Sequence, residues 1–270
     1  MSTVGRTVGR AFGTARGAGA LLGASLRGRG AVVFTYHDVT DDPENTSDQV
    51  TPGALRADLV AAQRWGLRWI GLPELAIRFL AGDRLDGLAA VTFDDALIGV
   101  HRHAVGILGE LGVPATVFAV SRRLGTGTPE WYAGSDRVMT SDELLEVADA
   151  GFTVQSHTRT HADLPAVADP EALHAELAGA RTDLEQLLGR PVEYLAYPFG
   201  YFDRRVRDAV EAAGYRAAFT FLPGRIVPGL DRFRLPRFPM WSDHRRIRLA
   251  YLLARPVSSF RDFQPETVTA

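Results

Sequence analysis

The stretch "AAVTFDDALIG" (residues 89–99) sets two carboxylates side by side at the end of an apolar, β-branched and aromatic run. A run of that composition reads as a buried strand, and a buried strand ends in Asp94 and Asp95 only if a metal, a proton or a substrate offsets their mutual repulsion. On either side the pattern repeats. The runs "AVVFTYH" (31–37), "LRWIGL" (67–72), "ATVFAV" (115–120), "FTVQSH" (152–157), "EYLAYP" (193–198), "RAAFTF" (216–221) and "FRLPRF" (233–238) also read as strands, many of them separated by helical patterns.

Three of those helices carry end signals. Thr140 and Glu143 have capping-box spacing, with Gly151 as the C′ residue. Asp169 and Pro170 open a helix whose apolar side includes Leu173, Leu177, Leu184, Leu187 and Leu188, closed by Gly189. Asp203 caps a third, with Val206, Val210 and Ala213 inward and Gly214 after it. About eight strands with intervening helices predict a (β/α) barrel or a wound open sheet. In a barrel the chemistry collects at the carboxyl ends of the strands. The polar residues out of place in this sequence fall there: His37, Asp94, Asp95 and His157, with Tyr197 and Pro198 ending the sixth run.

The 270 residues can bury one substantial core, and their balance of 46% hydrophobic, 23% charged and net charge −2 points to no nucleic-acid surface. With no cysteine, thiolate metal sites and a cysteine nucleophile are excluded. All basic side chains are arginine, which excludes Schiff-base chemistry and a phosphate-loop lysine. Any metal must therefore be held by histidine and carboxylate. "QSHTRTH" (155–161) places His157 and His161 four apart just past a strand. Alone they could be two surface histidines beside a turn; with Asp95 they make a three-ligand site with positions open to water and substrate. If Asp95 ligates, Asp94 remains to take a proton from water. The plain alternative has Asp94 capping a helix and Asp95 solvated.

"TFDD" followed by His157-Thr158-Arg159-Thr160-His161, an H-[ST]-x-x-H motif, resembles the polysaccharide deacetylases, also called the NodB-homology or carbohydrate esterase family 4 domain. The resemblance runs from about residue 31 to about 240 and includes "ELLEVADAGFTVQSHTRTHADL" and "YPFG" (197–200). It implies a distorted (β/α) barrel with seven to eight strands, and metal-dependent removal of acetyl groups from N-acetylated or O-acetylated glycans, here N-acetylated oligo- or polysaccharides. It makes Asp94 the base and Asp95, His157 and His161 the ligands of a divalent ion, most often Zn2+, with Co2+ or Ni2+ also suited.

Two departures from the family stand out. The arginine expected two residues before the third motif's proline is Ala196 here, and no L-x-L-x-H motif follows; His244 stands outside one. The early "TYHDV" (35–39) resembles the branch acting on poly-β-1,6-N-acetylglucosamine, which implies His37 as general acid, with His244 as second choice and a backbone-bonded strand-end histidine as the plain alternative. Arg234 or Arg237 is expected to replace the missing arginine in space. Trp131, Tyr132, Tyr197, Pro198, Phe199, Tyr201 and Trp241 are the substrate-binding candidates, with a backbone N–H near Tyr197 for the oxyanion and Asp38 orienting a ring or lining the cleft.

Residues 1–30 read as a basic arm able to touch an anionic membrane weakly, 31–245 as the catalytic domain, and 246–270 as a C-terminal helix or tail. No apolar window is long enough to span a bilayer and no signal peptide is evident, so the cytoplasm or the inner membrane surface is the expected location. Two rivals remain: a glycan-binding pseudoenzyme on the same scaffold, supported by the two departures, and a hydrolase of a small amide.

Overall fold

A computed structural model describes residues 30–44 and 48–240. Its main sheet is parallel and curls in the order β10, β1, β5, β6, β7, β8, β9, with β4 beside β5. These strands are β1 (Val32–Tyr36), β4 (Arg68–Trp69), β5 (Leu88–Phe93), β6 (Ala115–Ala119), β7 (Thr153–Ser156), β8 (Tyr194–Ala196), β9 (Ala217–Phe219) and β10 (Phe238–Pro239). β2 (Asp38–Val39) and β3 (Gln49–Val50) form a separate small parallel pair that no sequence signal announces.

One segment closes the curl. Leu235 pairs in parallel with Phe219 of β9, and three residues later Phe238 pairs with Phe34 of β1. The expected strand 233–238 is thus a connector with a short paired end, because it must leave one neighbour to reach the other. Expected strand 67–72 likewise shrinks to β4: Arg68 and Trp69 pair in register with β5, and the contact ends where the Ile70 amide donates to the Ala89 carbonyl at 2.9 Å.

Period-two alternation divides the apolar side chains into two cores. Val32, Phe34, Val91, Phe93, Val117 and Leu195 face the outer helices. Val33, Ala90, Phe118, Tyr194, Ala196 and Phe219 face inward and share a cluster with Leu72, Leu75, Ala76 and Phe79. Those last four lie on one helix, Leu72–Leu80, so helix side chains help fill the curl. By the same alternation Thr92 on β5 and Asp94 just past it, and Thr35 on β1 and His37 just past it, share the inward parity.

The helix-end signals are realised. Thr140 and Glu143 form a reciprocal capping box on the helix Ser141–Asp149. Asp169 caps Pro170–His174, which runs through a π-helical turn (Ala175–Gly179) into Ala180–Leu188 and ends at left-handed Gly189. Asp203 caps Arg204–Ala212, burying Val206 and Val210. The result is a distorted (β/α) barrel, with every main strand pointing its carboxyl end the same way.

Candidate active site

At that end a cleft of about 260 Å³ is lined by His37, Asp94, Asp95, His157 and His161 together with an aromatic group that includes Phe199 and Phe221. Asp95, His157 and His161 converge: their candidate ligand atoms all lie within 4.8 Å of one another, the one such group among the described residues. Asp95 Oδ1 is 3.6 Å from His157 Nε2 and 3.4 Å from His161 Nε2, and all three residues are buried. His157 Nδ1 donates to the Ala196 carbonyl at 2.8 Å, which leaves Nε2 as the nitrogen to face an ion. Burial, and then the neighbouring His157, lower the His161 imidazole to about 2, so that ring is held neutral as a ligand must be. Burial pushes the Asp95 carboxyl up, against the pull of His157 and His37. One carboxylate oxygen and two imidazole nitrogens suit Zn2+, Co2+ or Ni2+.

The backbone bends to bring these atoms together. Among the described residues, the non-glycine positions with positive φ are Asp95 (68°), Ala96 (55°), Thr158 (68°), His161 (66°) and Phe199 (57°), and all lie at the site. Each such conformation costs on the order of 1–3 kcal/mol and persists only where surrounding contacts over-determine it.

Asp94 is held differently. Arg237 makes a bidentate pair with it, Nη1 to Oδ1 at 2.7 Å and Nη2 to Oδ2 at 2.8 Å, with the arginine wholly buried. Arg237 also donates to the Thr220 carbonyl at 3.0 Å and to Thr92 Oγ1 at 3.3 Å, so it spans from the closing segment to β5. Burial would raise the Asp94 carboxyl; the Arg237 guanidinium, followed by His157, outweighs it and holds the group down at about 2. Arg234, the other candidate, lies over Phe202 instead, 5.4 Å from the ring centroid.

His37 lies at the cleft with its ring 5.5 Å from that of Phe221. Phe221, two residues past Phe219 on the inward parity of β9, went unnoticed in the sequence, although that parity could have signalled it. Phe199 and Tyr201 are 46% and 56% exposed, open to a ligand at the rim.

Several expectations need correction. Trp131, half-buried at the cleft, stacks on His161 with centroids 4.1 Å apart and donates Nε1–H to Asp95 Oδ1 at 3.1 Å, while Arg123 lies over its ring, so it braces the ligand cluster as well as lining the cleft. Tyr197 is buried at the cleft wall, its hydroxyl donating to the Phe233 carbonyl at 3.0 Å and its N–H to the Phe219 carbonyl at 3.1 Å, so an oxyanion donor near it is not its own amide. Pro198 is buried beside it and shapes the turn. Asp38 turns away from the cleft to accept from Tyr132 Oη at 2.6 Å and from the Val39 amide at 2.9 Å. Its contact is so close that a Cβ on Gly99 would meet Asp38 Oδ1 at 2.1 Å. Trp241 and His244 lie outside the described residues.

A curled parallel sheet with two acids and two histidines at its carboxyl end defines a (β/α)-barrel protein with a candidate metal-hydrolase centre. The chain belongs to the polysaccharide deacetylase family, whose profile matches residues 81–218. YxkH of Bacillus subtilis (strain 168) is 25% identical over 134 residues; the match covers 50% of this chain and 44% of that protein, so the chain spans under half the length of this relative. IcaB from Ammonifex degensii shares the fold at a TM-score of 0.74 and 22% identity, covering 84% of this chain and 98% of that one. The Streptococcus pyogenes deacetylase PplD superposes at 0.72 with 19% identity, over 84% and 99% of the two chains. BC0361, a polysaccharide deacetylase from Bacillus cereus, is 25% identical at a TM-score of 0.68, over 83% and 69%.

Proposed function

We infer that the protein is a metal-dependent hydrolase of carbon–nitrogen bonds that removes acetyl groups from N-acetylated glycans. The observation that carries this reading is the bidentate Arg237–Asp94 pair beside the Asp95–His157–His161 cluster: a carboxylate kept ionised in a buried place, next to a three-donor set. When bound there, a divalent cation supplies Lewis acidity for water and for the acetyl carbonyl.

Asp95, His157 and His161 hold that ion. Asp94 accepts a proton from the attacking water as the water oxygen bonds to the acetyl carbon. His37 delivers a proton to the glycan nitrogen as the carbon–nitrogen bond breaks, leaving acetate and a free amine. Phe199 and Tyr201, exposed at the rim, offer faces to sugar rings. Arg237 replaces the arginine missing at Ala196, which removes one of the two supports for a glycan-binding pseudoenzyme. The TYHDV motif and an early-strand His37 at the cleft favour β-1,6-linked poly-N-acetylglucosamine as the substrate class.

The test is acetate release from N-acetylglucosamine oligomers of different linkage, and from acetylated xylan, with and without added zinc or cobalt. Metal-dependent release from the amides is expected. Tight metal binding without release from any glycan overturns the reading in favour of a binding protein or a small-amide hydrolase.

A further inference from the structure

The loop that carries both histidine ligands has no regular structure of its own, yet every backbone N–H from His157 to His161 has a partner. His157 N donates to the Ala119 carbonyl at 2.9 Å, Thr158 N to Ser156 Oγ at 3.2 Å, and His161 N to Thr158 Oγ1 at 3.1 Å. The other two of the three amides between the ligands go elsewhere. Arg159 N and Thr160 N both donate to Glu176 Oε2, at 3.1 and 2.9 Å, and Thr160 Oγ1 donates to Glu176 Oε1 at 2.7 Å. One carboxylate from the following helix thus completes the hydrogen bonding of the loop's backbone amides.

Glu176 sits in the π-helical turn Ala175–Gly179, between two α-helical segments. The Arg159 side chain runs back along the same helix, its Nε donating to Asp183 Oδ2 at 3.0 Å, and a Cβ on Gly179 would meet the guanidinium at 3.3 Å. The amides that Glu176 grips lie between Thr158 and His161, which both hold positive φ. A strained loop of this kind relaxes unless something outside it fixes the middle.

We propose that Glu176 is a positioning residue for the metal centre: by clamping the Arg159 and Thr160 amides and the Thr160 hydroxyl, it holds His157 and His161 at the spacing that binds the ion. This rests on the metal-centre reading of the site. Outer contacts of this sort are worth about 10- to 100-fold in metal affinity elsewhere.

The test compares Glu176→Leu, Glu176→Ala and Glu176→Gln with the wild type, reading cobalt affinity, the visible absorption of the cobalt form, and the melting temperature of metal-free protein. Glutamine keeps an oxygen that can accept both amides; leucine keeps bulk and loses the acceptor. E176L and E176A are expected to weaken cobalt binding about tenfold or more and to alter its absorption, while E176Q stays within about threefold of wild type. A role in packing alone would spare E176L. Wild-type affinity and absorption in folded E176L or E176A overturn the proposal while leaving the metal centre intact. A wild-type protein that takes up no cobalt overturns the reading of the site as well.

Discussion

At the scale of residues, the two adjacent aspartates divide by their partners. Asp94 faces a guanidinium and Asp95 faces two imidazoles, so two identical, equally buried side chains are shifted in opposite directions. Asp94→Asn keeps the shape but loses the proton acceptor; acetate release should fall by roughly 10²-fold or more while metal uptake is unchanged. Arg237→Ala leaves a carboxylate buried without its counter-charge and should cost about 3–5 kcal/mol in urea unfolding, because the orphaned ion keeps its desolvation penalty. Trp131→Phe preserves the stack on His161 but removes the hydrogen bond to Asp95; competition with a metal-sensitive dye should show affinity lowered about tenfold. The aspartates and histidines were legible from residue type and strand-end position. The work of Trp131 was not, since its partners come from two other segments and the loop conformation alone brings them together.

Elements were legible where local chemistry decides them. Capping, αL glycines and apolar spacing act within a few residues, and the three helix-end signals all reappear at the stated positions. Thr140→Ala removes a cap that accepts from the Glu143 amide, and should cost about 1 kcal/mol of stability without altering turnover, as thermal melts and acetate release together would show. The hydrogen bonds from Arg137 hold the Glu143 carboxyl down at about 2 from an ordinary 4.5. A depressed carboxyl stabilises the fold above its unfolded value and loses that contribution as pH falls through the folded one. Melts of wild type and Glu143→Gln should therefore differ at neutral pH and converge in acid below that range. The small β2–β3 pair, the π-helical turn and the shortened fourth and last strands were not legible. Each depends on which neighbour a segment meets.

At the scale of the molecule, the barrel brings strand ends from across the chain to one rim, and the ion would tie β5 to the loop after β7. Chelation should abolish acetate release, and added zinc or cobalt should restore it. Metal at about 100 times its Kd should stabilise the fold by about 2.7 kcal/mol, measured as a concentration-dependent rise in melting temperature. By itself the sequence determined the class of fold, the strand ends that carry His37, Asp94, Asp95 and His157, and the candidate ligands, because hydrophobic period, caps and residue chemistry are local properties that a linear pattern records. Tertiary structure alone decided which arginine reaches Asp94, that Trp131 and Tyr197 turn inward, and that Glu176 grips the ligand loop. Those choices depend on distances between segments far apart in the chain, which are set only when the sheet curls closed.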